Sequence, residues 1–257
     1  SGLHYSNKPV DIRRFLGYIS PEEYIDENPV AFYASKNILF PKSLIGYSKK
    51  DPEFLENEFY GKNALLKEDF PSNFLNASAF HFCPSSIKKQ IQFSSILHHD
   101  SKTCLTIQSD SSYMISSNWD LMPVLMKDLN AFITTRPQMM SLFRNRTEDI
   151  WEMTAYLTSL GCENLVIDNG PYGQLLYSSQ TKKKYQLPAY PVEILDPTGM
   201  RESFCGGFLA GIKNNYDPLE ALCFGNISAS LTVEVIGPFY AAEAYQGLIM
   251  NRLAVIK

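Results

Sequence analysis

The chain has 257 residues, 45% of them hydrophobic and 19% charged, with 23 Lys+Arg against 27 Asp+Glu and a net charge of -4. That length suits one large α/β domain, or one domain with a small appendage, and the composition excludes a predominantly disordered chain. No apolar run reaches the roughly 20 residues of a membrane-spanning helix, and the mild acidity argues against a nucleic-acid partner, whose nonspecific affinity rests on phosphate neutralisation.

Five cysteines, Cys83, Cys104, Cys162, Cys205 and Cys223, stand at wide, irregular spacings with no C-x-x-C pair. This pattern reads as buried thiols in a reducing compartment, cytoplasmic or otherwise intracellular. The first residues, Ser-Gly-Leu-His-Tyr-Ser, have neither the basic start nor the apolar stretch of a signal peptide and no Met, so the chain reads as processed or truncated and not secreted.

Residues 1–75 are irregular and rich in Pro, Tyr and Phe (Tyr5, Phe15, Tyr18, Tyr24, Phe32, Tyr33, Phe40, Tyr47, Phe54, Phe59 and Tyr60 among them), and are expected to form a separate N-terminal segment. Residues 76–257 follow a regular βα rhythm. A strand is predicted at 79–83, ended by Pro84, then a helix whose apolar face holds Ile87, Ile91 and Ile96. A second strand is predicted at 104–107. A helix from about Asn118, its N-cap, carries Leu121, Val124, Leu125 and Leu129 and leads to a strand at 131–133. Thr147 is read as the N-cap of the next helix, with Gly161 as its stop, followed by a strand at 165–167. Gly170 and Gly173 bracket a turn, 174–177 is a strand, and Tyr185, Leu187 and Ala189 alternate as another. Val192 and Ile194 are read as the end of a strand, and helices are predicted over about 202–213, 218–235 and 241–253. Strands separated by helices of this length imply crossover connections, hence an α/β fold with a mostly parallel sheet and helices on both faces.

The most informative stretch is Asp196-Pro197-Thr198-Gly199-Met200-Arg201-Glu202-Ser203-Phe204-Cys205-Gly206-Gly207-Phe208-Leu209-Ala210-Gly211. Pro197 forces an extended turn, and Phe204, Phe208 and Ile212 recur every four residues down the helix that follows. A turn of this kind aims unpaired backbone N–H groups and the positive end of the helix dipole at one point, which makes an anion site. Gly206 and Gly207, each costing about 1 kcal/mol in helix propensity, imply close helix packing.

This stretch resembles the C-terminal signature of the pfkB, or ribokinase-like, carbohydrate kinases, D-T/P-T-G-A-G-D-x-F-x-G-G-F-L-x-G. Leu187 to Val192 resemble the strand before that signature, and Asp217 to Ala221 with Gly225 to Ser230 resemble the helix after it. Asn169-Gly170-Pro171-Tyr172-Gly173 is similar to the family's G-x-x-G turn. The resemblance covers roughly residues 76–257. It implies ATP and Mg²⁺ as cofactors, a sugar-like or nucleoside-like acceptor, and Glu202 in the position of the family's general base. It further implies an anion hole at Thr198, Gly199, Met200 and Arg201, and nucleotide contacts at Asn169, Gly170, Gly173 and Asn226.

Four departures from the family pattern accompany it. Glu202 replaces Asp, moving the carboxylate by about a bond length. Arg201 replaces Gly, so a residue strained at positive φ is expected there if the family geometry holds, with its side chain either blocking the anion hole or binding phosphate. The N-x-x-E motif expected around Thr135-Arg136-Pro137-Gln138 has no carboxylate, which makes Mg²⁺ doubtful and leaves no metal-site residue. The early substrate-binding strand of the family has no match in residues 1–75. Two functions therefore stay open: a kinase with a degraded motif, or a catalytically inactive kinase-like protein acting as a binding, regulatory or assembly component. In the second, the aromatic N-terminal segment, around residues 12–19 and 38–47, serves as a lid, a homodimer surface or a protein partner surface.

Purely structural roles are open to the same residues. Glu202 also serves as an acidic residue in a helix's first turn, and Arg201 as a surface residue. Asn226 also fits a polar network between helices, and His81 a satisfied core histidine. His98 and His99 beside Asp100 read as a solvated helix end rather than a metal pair.

Overall fold

The computed structural model describes residues 13–21, 23–50, 71, 74–97, 103–215, 217–237 and 239–256. The chain divides into two compact units, Ser1–Pro71 and Ser72–Lys257. The histidine pair at 98 and 99 and the start of the expected lid segment, residue 12, lie outside the described residues.

In the first unit, β1 (Gly17–Tyr18) pairs antiparallel with β2 (Tyr24–Ile25). Helix α1 (Pro29–Ser35) starts from Asn28, whose side chain accepts a hydrogen bond from Ala31 N while its backbone takes the left-handed conformation Asn tolerates. Phe15, buried, meets Phe32, Tyr33 and Tyr47 at ring distances of 5.5, 6.2 and 6.2 Å. Much of the aromatic excess of this region is thus a small core of its own. The 38–47 stretch contains a 3-10 turn, Lys42–Leu44.

The second unit is built on a six-stranded sheet of order β3-β4-β5-β6-β7-β8. Its strands are β3 (Ala79–Phe82), β4 (Cys104–Gln108), β5 (Ala131–Thr135), β6 (Asn164–Asp168), β7 (Gln174–Ser178) and β8 (Lys184–Leu187). The first four run parallel, and β7 and β8 are added antiparallel as hairpins, as their short connections require. The helices of this unit are α2 (Ile87–Leu97), α3 (Met122–Met126), α4 (Arg136–Leu142), α5 (Ile150–Ser159), α6 (Met200–Asn215), α7 (Pro218–Val233), α8 (Tyr240–Glu243) and α9 (Gln246–Ile256). One face of the sheet, through Leu105, Ile107, Phe132, Leu165 and Ile167, packs on α2 to α5. The other, through Cys104, Ala131, Ile133, Val166 and Leu176, packs on Phe204, Phe208 and Ile212 of α6 and on α7 and α9. β5 is buried along its whole length, as a strand covered on both faces must be.

Several local expectations are corrected. In α2 the buried face is Ile87, Gln90, Phe93, Ser94 and Leu97, with Ile91 and Ile96 at its margins. The segment from Asn118 is not one helix. Pro123 removes a donor, so a 3-10 turn (Ser116–Leu121) precedes the short α3, and Leu121 and Val124 face solvent while Met122, Leu125 and Met126 are buried. Asp149, not Thr147, caps α5, accepting from Trp151 N and Glu152 N. Residues 188–195 form no strand. Pro188 and Pro191 lack N–H donors, and further along Leu195 N and Asp196 N bond to Val233 O at the end of α7 at 2.8 and 3.2 Å. The predicted C-terminal helix begins earlier and is divided into α8 and α9.

Candidate active site

The turn from Asp196 to Gly199 is set by local chemistry. Asp196 Oδ1 accepts from Thr198 N at 2.9 Å, Met200 N donates to Pro197 O at 3.2 Å, and Gly199 takes φ 81°, a conformation that favours glycine. Helix α6 then begins at Met200. Ser203 N closes the first helical bond onto Gly199 O at 2.9 Å. The N–H groups of Gly199, Arg201 and Glu202 have no partner among the described residues. Of the four positions expected to line the anion hole, Thr198 and Met200 have therefore spent their donors on the turn, and Glu202 N joins Gly199 and Arg201 in the open set. Arg201 lies within a regular helix and not at positive φ, so the expected backbone strain is absent there, and the positive φ of this turn falls on Gly199, which tolerates it.

The long side chain of Arg201 leaves the helix end for β6. Its Nε donates to Asp168 Oδ2 at 3.0 Å, with 56% of the Arg201 side chain exposed and 17% of that of Asp168. The other carboxylate oxygen of Asp168 accepts from Gly170 N at 3.0 Å. One carboxylate thus ties the Asn169–Gly173 turn to the start of α6. Asn169 N bonds to Gly173 O at 2.9 Å to close that turn. Gly170 and Gly173 have φ of 62° and 84°, and a Cβ on Gly173 would come within 2.5 Å of Ala189 N. Glu202 is exposed in the first turn of α6, beside the open N–H groups.

Asn226 does not join them. It is 3% exposed, its Oδ1 accepts from Tyr190 N at 3.0 Å, and its Nδ2 donates to Gln174 Oε1 and Pro188 O at 2.7 and 2.9 Å. These bonds stitch α7 to β7 and to the segment after β8. The depth of α6 is fixed by Gly207, where a Cβ would stand 2.6 Å from Phe224 O. Gly206, in contrast, faces open space, so only one of the two adjacent glycines serves close packing.

The stretch where the family's metal motif was expected has no carboxylate; Arg136 in it is exposed, and Gln138 turns inward to uncharged partners. Gln138 Oε1 accepts from Ser109 Oγ at 2.7 Å and from Thr134 Oγ1 and Thr135 N at 3.1 Å, and Thr135 Oγ1 accepts from Gln138 N, a capping box that starts α4. A hard cation needs carboxylate or free oxygen ligands. Here the amide oxygen is already saturated by three donors, so this corner does not fit Mg²⁺. No group of three or more His, Cys, Asp or Glu that would hold a metal occurs among the described residues.

Sequence reasoning missed Gln90 and Asp168, and it read His81 as a satisfied core histidine. Gln90, 1% exposed, donates to Cys83 O and Gln108 O at 2.9 Å and accepts from Tyr113 OH at 2.6 Å, joining the ends of β3 and β4. His81 Nδ1 pairs with Thr106 Oγ1 at 2.8 Å, but its Nε2 is buried without a partner, so the histidine is only half satisfied. Burial lowers its pKa to about 4, against a smaller opposing influence of Gln108. None of the five cysteines is in a disulfide. Burial, with the Glu202 charge second, raises the pKa of Cys83 and of Cys205, so neither is an activated nucleophile. Asp168 gave no signal in the sequence, because its partner is 33 residues away.

Residues 119–244 match the model of the pfkB family carbohydrate kinases. A cytidine kinase from Thermococcus kodakarensis is 28% identical over 156 residues, 58% of this chain and 52% of that protein. Among solved structures, a ribokinase II from E. coli in complex with ATP and Mg²⁺ superposes with a TM-score of 0.59 at 19% identity, over 73% of this chain and 62% of that one. Arabidopsis thaliana ribokinase complexed with ribose and ATP gives 0.58 at 17% identity, over 72% and 59%. The chain therefore spans about half to three fifths of the length of these relatives, and the structural likeness establishes the fold.

Proposed function

We propose that the protein is a pfkB-type kinase, because residues 119–244 match the model of the pfkB family carbohydrate kinases and the unit around them has the ribokinase-like fold. It transfers the γ-phosphoryl group of ATP to a hydroxyl of a sugar-like or nucleoside-like molecule. The observation that carries this reading is the turn at Gly199. It leaves three N–H groups open at the start of a sixteen-residue helix, with the Glu202 carboxylate in the same turn. Charge that develops on a transferring phosphoryl group is stabilised by such fixed donors. Glu202 takes the proton of the acceptor hydroxyl as the new O–P bond forms, and the bond to the leaving ADP breaks. Asn169 and the Gly170–Gly173 turn border the nucleotide. ATP is thus the cofactor in this reading, while the residues at Gln138 do not supply a Mg²⁺ site.

A second reading, a kinase-like protein that binds without catalysing, is favoured by the saturated amide at Gln138 where the family motif has a carboxylate. In that case the first unit, with Leu39 92% and Ile45 66% exposed, offers the surface for a partner or a second copy. Incubation with ATP and a panel of sugars and nucleosides, including ribose and cytidine, separates the two. Phosphorylation that is lost in Glu202→Gln supports the kinase. ATP binding with no transfer to any acceptor supports the binding protein. Five cysteines without a disulfide, four of them buried, accord with a reducing intracellular compartment.

A further inference from the structure

We propose that Asp168 is a positioning residue that holds Arg201 as a built-in cation, so that this site takes the polyphosphate of a nucleotide without Mg²⁺. The inference rests on the phosphate-site reading above and adds to it the way charge is supplied. Three observations lead to it. First, the guanidinium of Arg201 is anchored by one nitrogen only, Nε on Asp168 Oδ2 at 3.0 Å. Its Nη groups have no partner among the described residues. A half-exposed ion pair of this kind contributes little to stability, so its consequence is orientation. It fixes a planar group whose remaining donors suit phosphate oxygens in a bidentate arrangement.

Second, the same Asp168 carboxylate accepts from Gly170 N. The cation is thereby set between the glycine turn and the open N–H groups of Gly199, Arg201 and Glu202, on elements that are far apart in the chain. Third, Ser109, Thr134, Thr135 and Gln138 are uncharged side chains and the Gln138 amide oxygen is already taken by three donors, so these residues offer no ligand to a charge-compensating metal. A cation at the helix start is otherwise unfavourable against the dipole. Asp168 offsets that repulsion when no ligand is bound, and an anion does so when one is.

The test is titration calorimetry of the full chain with ATP, tripolyphosphate and adenosine, each with EDTA and again with excess Mg²⁺. The expected result is ATP affinity that differs by less than about threefold between the two conditions, and that weakens with salt as fixed-charge binding does. Asp168→Asn and Arg201→Gln are each expected to weaken tripolyphosphate roughly tenfold, the worth of a charge-assisted hydrogen bond, and to leave adenosine unchanged. Asp168→Glu is expected to restore most of the loss. Binding of ATP only in the presence of Mg²⁺ would overturn this inference and leave the phosphate-site reading standing. Failure of ATP to bind in either condition overturns both. The comparison of wild-type protein with and without Mg²⁺ decides the matter even if a variant does not fold.

Discussion

Two ends of neighbouring strands carry opposite chemistry. At the end of β6, Asp168 is charged and reaches outward to Arg201 and Gly170, and the adjoining helix start has open donors and an exposed carboxylate. At the end of β5, one strand away, Gln138 Oε1 is taken up by three donors of the chain itself, Ser109 Oγ, Thr134 Oγ1 and Thr135 N, and none of these groups is charged. The first arrangement is costly to the free protein and useful to an anion. The second stabilises α4 through its capping box and offers a ligand little. In the proposed reading the charge that meets the phosphate is therefore not spread evenly over the strand ends but concentrated at the helix end.

The largest effect that separates the two ends is catalytic. Glu202→Gln is expected to lower turnover by roughly a hundredfold to ten-thousandfold, the usual contribution of a general base, with ATP affinity nearly unchanged. Steady-state rates and calorimetry check both parts. A variant with wild-type turnover removes Glu202 from the chemistry.

Next in size is the pH dependence of the floor beneath the site. His81 lies on the sheet face covered by α6, and its folded pKa, about 4, is below its ordinary 6.5. The unfolded chain therefore binds more protons between these values. The stabilisation is complete above pH 6.5 and is lost as pH falls toward 4, by up to about 3 kcal/mol. Urea titrations at pH 7 and pH 4.5 should show a smaller drop for His81→Gln than for the wild type. An equal drop assigns the acid sensitivity to other groups.

The position of the charged end depends on how closely α6 packs on α7, and the adjacent glycines measure that. Gly207→Ala places a methyl near Phe224 O and is expected to cost about 1–3 kcal/mol. Gly206→Ala meets nothing and is expected to stabilise the helix by about 0.5–1 kcal/mol. Opposite signs in thermal melts support the packing; equal signs contradict it.

The smallest effect concerns the neutral corner. Gln138→Glu can accept the same three hydrogen bonds, so stability is expected to change by less than about 1 kcal/mol. The new carboxylate should make ATP affinity respond to Mg²⁺ by a few fold, which calorimetry would detect against the unresponsive parent.

The charged end was partly legible in the sequence. Asp196-Pro197-Thr198-Gly199 announces its turn through Asx chemistry and a proline, and Phe204, Phe208 and Ile212 mark the buried side of α6. What local reading could not supply was tertiary. Arg201 finds Asp168 across 33 residues, and Asn226 spends its amide on Gln174 and on the backbone at 188 and 190. The strand expected at Val192 and Ile194 fails because apolar spacing there is outweighed by prolines and by the bonds from 195 and 196 to Val233. The helix expected from Asn118 fails at Pro123 for the same kind of reason, a missing donor inside an apolar pattern.

The contrast between the two strand ends is tested most directly by nuclear magnetic resonance of the ¹⁵N-labelled protein titrated with metal-free ATP. The backbone amides of Gly170, Gly199, Arg201 and Glu202 and the Arg201 Nε–H are expected to shift together, while those of Ser109, Thr135 and Gln138 stay in place. Shifts confined to Ser109, Thr135 and Gln138, or arising only after Mg²⁺ is added, would contradict a phosphate site whose charge is concentrated at the helix end.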